Sequence, residues 1–84
     1  MDEKYNDDWK DELRLDYPEI NERLAMGKNK RSDLKVLSKL MYKYNSDKSK
    51  EDVLDRVITW VSDWNNQINL IPDDNEYKRL LNAM

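Results

Sequence analysis

Residues 53–64 read Val53-Leu54-Asp55-Arg56-Val57-Ile58-Thr59-Trp60-Val61-Ser62-Asp63-Trp64, and their spacing decides the fold class. Val53, Val57, Trp60, Val61, Trp64 and Ile68 recur every three or four residues, and Leu54 and Ile58 widen the band. At about 100° per residue these positions cover an arc of roughly 160°. Asp52, Asp55, Arg56, Thr59, Ser62, Asp63, Asn66 and Gln67 fill the other side. Ser49 stands where a hydroxyl caps the amide of Asp52, and Pro72 closes the segment. The pattern predicts an amphipathic helix over about 50–70. An arc this wide faces more than one neighbour, which makes it the central helix of a bundle. Trp60, Trp64 and Ile68 also exceed what short flanking helices cover, so a homodimer is expected.

Working outward, Leu34, Val36, Leu37, Leu40, Met41 and Tyr44 share one side of a helix over about 32–45, with Ser32 as its N-cap. The short link Asn45-Ser46-Asp47-Lys48 makes it an antiparallel neighbour of the central helix. Asp16-Tyr17-Pro18 marks a helix start, Ile20 and Leu24 its inner stripe, and Gly27 its left-handed end. Tyr5, Trp9 and Leu13 line a first segment, and Tyr77, Leu80, Leu81 and Met84 a last one, starting at Asp73 or Asp74. With 84 residues, one Gly and two Pro, the chain lacks the turn glycines that hairpins need. The expectation is one all-α domain over 1–84, a compact bundle of four to five helices. Residues 1–15 are either part of it or a semi-independent acidic arm.

The chain has no Cys and no His, which removes disulfides, the usual zinc sites, thiol nucleophiles and imidazole acid–base chemistry. The single Gly leaves no phosphate-cradling loop. Neither Ser38-Lys39 nor Ser46-Asp47-Lys48 pairs a nucleophile with an activating base, and the acidic pairs are adjacent rather than convergent. No enzyme activity, cofactor or metal is expected. The start, Met1 to Asp8, is acidic with no apolar core, and no run of about 18 apolar residues occurs. A cytoplasmic protein with no membrane partner is the expectation.

Charge is distributed in blocks: −5 over residues 1–27, +6 over 28–50 and −4 over 51–84, for a net −3. Arg31, Lys35, Lys39 and Lys43, four apart, form one basic helix face, extended by Lys28 and Lys30, with Tyr42 inside the stripe. Such a ridge is a solvated or self-paired face, a site for an acidic protein, or a nucleic-acid contact using phosphate pairing and stacking. In the first segment Tyr5, Asp7, Asp8, Trp9, Asp11 and Glu12 make an acidic stretch around one large aromatic. Trp9 either docks onto its own domain or anchors a partner. Asn65, Asn66, Gln67 and Asn69 read as a tolerant polar surface.

These features predict a non-enzymatic protein that modulates or inhibits a macromolecular partner, with the acidic stretch as its contact. By analogy of composition alone, immunity proteins and phage- or plasmid-encoded inhibitors are of this kind. The alternatives are a small nucleic-acid-binding regulator using the basic face, and a structural subunit of a larger assembly.

Overall fold

The computed structural model describes residues 5–66 and 70–84. Five helices follow in order: α1 (Trp9–Asp16), α2 (Pro18–Met26), α3 (Asp33–Tyr44), α4 (Lys50–Asn65) and α5 (Asp74–Ala83). Helix α3 packs against α1, α4 and α5, so it shares with α4 the central place that the sequence assigned to α4. Their joint core holds Leu34, Leu37, Leu40 and Met41 from α3 and Val53, Leu54, Val57, Ile58 and Val61 from α4. Trp9 and Leu13 of α1, Leu80 of α5 and Leu70 complete it. The radius of gyration is 12.0 Å, about what a folded chain of this length requires.

The helix ends follow local chemistry. The Ser49 side chain accepts the Asp52 N–H, as expected, and Asp73 accepts that of Glu76, which fixes Asp73 rather than Asp74 as the cap of α5. Tyr17 alone separates α1 from α2, because Pro18 bars the residue before it from helical backbone. Ser32 does not cap α3. The next residue, Asp33, turns back instead and accepts the Lys30 N–H at 3.0 Å. Helix α4 ends at Asn65 rather than near 70, because Asn66 takes the left-handed conformation at φ 53°, which Asn tolerates. Gln67, Ile68 and Asn69 lie outside the described residues.

Gly27 takes φ 66° and ends α2. A Cβ there meets the Trp64 carbonyl oxygen at 3.6 Å and its Nε1 at 3.7 Å, both ordinary contacts. The cost of Gly27→Ala is therefore conformational, about 1–2 kcal/mol for an L-residue in that region. Thermal melting should show Tm lowered by at least about 4 °C, with the helical circular dichroism of the native state unchanged.

Two asparagines at helix ends hold distant chain segments. Asn65 donates to the Val61 and Asn29 oxygens, both at 2.9 Å, and accepts the Asn29 N–H. Asn45 donates to Met41 O at 2.8 Å and Asn6 O at 3.1 Å, and accepts the Asn6 N–H at 2.6 Å. A carboxamide offers donors and an acceptor in one plane, so it can bond its own helix and a remote backbone together. Asn65 is thus buried and structural, not the surface residue expected from sequence.

Asn29 joins a second group. Its amide donates to Asp33 at 3.2 Å, while Arg23 grips the same carboxylate with two bonds of 2.9 and 2.6 Å. Asp33 is 1% exposed. Burial alone pushes its carboxyl up, but the Arg23 guanidinium, the Lys30 N–H and the Asn29 amide outweigh it. The net position is below the ordinary carboxylate value.

Candidate partner-docking surface

The acidic stretch resolves into separate fates. Trp9 is 1% exposed and meets Trp60 edge-to-face, with centroids 5.7 Å apart at 78°. Of the two readings of Trp9, this is docking onto its own domain, with almost no indole surface left exposed. Glu12 is taken up by α3, accepting from Lys43 at 2.7 Å and from the Tyr44 hydroxyl at 2.9 Å. These two bonds hold its carboxyl below the ordinary range, and in return Glu12 raises Lys43 and Tyr44. Tyr5 is half-buried, with Arg56 4.1 Å and Lys48 4.7 Å from its ring centre. Only Asp7, Asp8 and Asp11 of the set stay exposed.

The basic face is divided as well. Arg31 pairs with Glu76 of α5 at 3.2 Å, and Lys43 with Glu12. Lys28, Lys30, Lys35 and Lys39 are exposed, and none forms an ion pair among the described residues. Tyr42 is half-buried with the Lys50 ammonium 5.7 Å from its ring centre. The ridge is therefore neither wholly self-paired nor wholly free.

A groove of about 640 Å³ runs along α3. Lys35, Lys39 and Lys43 line it together with Tyr42, all from the basic set, whereas Lys28, Lys30 and Arg31 lie outside it. Its apolar lining comes from Val36 and Leu40 of α3, Tyr17 of the α1–α2 corner and Met84 after α5. Val36 and Leu40 follow Lys35 and Lys39 at the same four-residue spacing. That signal was present in sequence, but the arrival of Tyr17 and Met84 was not. Successive lysines rise about 6 Å along the helix, so the cationic side matches charges spaced one helical turn apart.

A second recess of about 630 Å³ lies between the N-terminal segment and α4. Asp7 and Asp55 are balanced there by Lys10 and Arg56, beside Trp9 and Trp60. Trp64, a member of the apolar arc of α4, is 57% exposed, its Nε1 donating to Leu24 O at 2.6 Å. This bond ties the end of α4 to α2, and the Asn65 clasp ties it to the α2–α3 loop at Asn29. Trp64 accordingly covers Gly27 from outside.

Ser38, beside Lys39, is buried and spends its hydroxyl on Leu34 O at 2.6 Å. Among the described residues no three acidic side chains converge as a metal site requires, and no helix is long and apolar enough to cross a membrane. Comparison with protein-family models, curated proteins and solved structures finds no match to this chain.

Proposed function

We propose that this is a non-enzymatic binding protein that modulates or inhibits a macromolecular partner by occupying its surface, and that the α3 groove is where the two meet. One observation carries the reading: Lys35 and Lys39 are exposed without a carboxylate partner among the described residues, on a groove that also presents Val36, Tyr17 and Met84. A merely solvated face needs no apolar lining, and a self-paired face leaves no free charge. The groove is preferred to the acidic stretch as the contact because Trp9 lies in the core and Glu12 is bound internally, which leaves that stretch three exposed aspartates and no exposed aromatic anchor.

The homodimer expected from the breadth of α4 has less to bury than that breadth implied. Of the arc's described members, Trp60 is half-buried beside Trp9, and Trp64 alone is more than half exposed.

The test is fluorescence anisotropy with labelled polyglutamate, single- and double-stranded DNA, and RNA, at about 50 and 200 mM salt. The wild type should bind at least one polyanion with an affinity that falls with salt, and Lys35→Gln/Lys39→Gln/Lys43→Gln should lose it. Absence of binding to every probe overturns the reading.

A further inference from the structure

We infer that the α3 groove takes an acidic amphipathic helix of a protein partner. This rests on the binding reading above and names the partner's chemistry. The argument is one of complementarity in both charge and polarity. Lys35 and Lys39 supply two cations, unpaired among the described residues, about 6 Å apart along the α3 axis. Acidic residues spaced four apart on a partner helix repeat at the same interval, so two carboxylates meet two ammonium groups without strain. Beside them, Val36, Tyr17 and Met84 offer apolar surface to the partner's hydrophobic stripe, the arrangement by which grooves hold amphipathic helices. The stretch from Lys35 to Lys43 is about 12 Å long, enough for two turns of the partner.

A nucleic acid fits less well. The groove offers only Lys35 and Lys39 without a carboxylate partner among the described residues, since Glu12 neutralises Lys43, which is few cations for a phosphate backbone. Lys28, Lys30 and Arg31, which would widen a phosphate-binding field, lie outside it, and Arg31 is engaged with Glu76. Apolar side chains add little to phosphate contact.

The probe is a labelled helical peptide of about 15 residues, with Glu every fourth position on one face and Leu on the other. A scrambled peptide of the same composition and a single-stranded oligonucleotide of about 12 nucleotides serve as comparisons. The helical peptide should bind at least about tenfold tighter than the scrambled one and weaken with salt. Lys35→Glu/Lys39→Glu should lose at least about tenfold, and Lys35→Gln/Lys39→Gln should lose affinity too, each with wild-type circular dichroism. Amide-shift mapping should place the peptide on Val36, Leu40, Tyr42 and Met84. Equal binding of the scrambled peptide, or full affinity in both variants, overturns the inference. Tighter binding of the oligonucleotide overturns it while leaving the groove as the binding face. Self-association that is abolished by Lys35→Gln/Lys39→Gln makes a second copy the occupant and overturns it as well. Failure of every polyanion overturns the functional reading itself.

Discussion

Trp9→Ala should unfold the protein or leave it barely folded. Removing a fully buried indole costs about 3–5 kcal/mol, and an 84-residue chain has about 4–13 kcal/mol to lose. The substitution deletes the edge-to-face contact with Trp60 and strips α1 of one of its two buried residues, leaving Leu13 alone. Urea titration followed by circular dichroism gives the loss directly. Trp9→Phe separates shape from polarity: the Trp9 Nε1 has no hydrogen-bond partner among the described residues, so a smaller ring should cost only about 1–2 kcal/mol. A wild-type urea midpoint for Trp9→Ala would show that residues 1–16 hang on the bundle without contributing to its core.

Asp33→Ala should come close to the same loss by a different route. The carboxylate is the only buried acid among the described residues, and it satisfies Arg23, Asn29 and the Lys30 N–H together. Taking it away strands these donors at the junction of α2 with the α2–α3 loop, for about 3 kcal/mol. Asp33→Asn keeps one acceptor oxygen but no charge, and should fall between alanine and the wild type. The pH dependence has a definite sign. Because the folded carboxyl sits below its ordinary value, its stabilisation is full above the unfolded value of about 4 and is lost as pH falls through the lower folded one. Urea midpoints at pH 7 and pH 3 should therefore differ more for the wild type than for Asp33→Asn. An equal difference in both proteins would remove Asp33 as the source.

Much of this architecture was legible along the chain, for a physical reason. Helix formation, capping and the choice of inner face depend on neighbours within four residues, so Ser49, Asp73, Pro18 and Gly27 could each be read in place. The run from Val53 to Val61 likewise announced its own buried side. Boundaries failed where a side chain had a distant competitor for its bonds. Asp33 turned to Arg23 and Asn29 and left Ser32 uncapped, and Asn65 and Asn66 ended α4 early by clasping Asn29 and turning left-handed. Trp60 and Trp64 are one turn apart and indistinguishable in sequence, yet α1 covers the first and leaves the second exposed. The same holds for the charges: composition determined an acid–base–acid chain of net −3, but which lysines would be neutralised depended on where α1 and α5 came to rest. Glu12 reached Lys43, Glu76 reached Arg31, and Lys35 and Lys39 were left beside Tyr17 and Met84. Local spacing determined the helices and their faces, because those are short-range properties of the backbone. Which cations pair and where the groove forms were decided by tertiary structure, because both depend on where segments far apart in the chain meet.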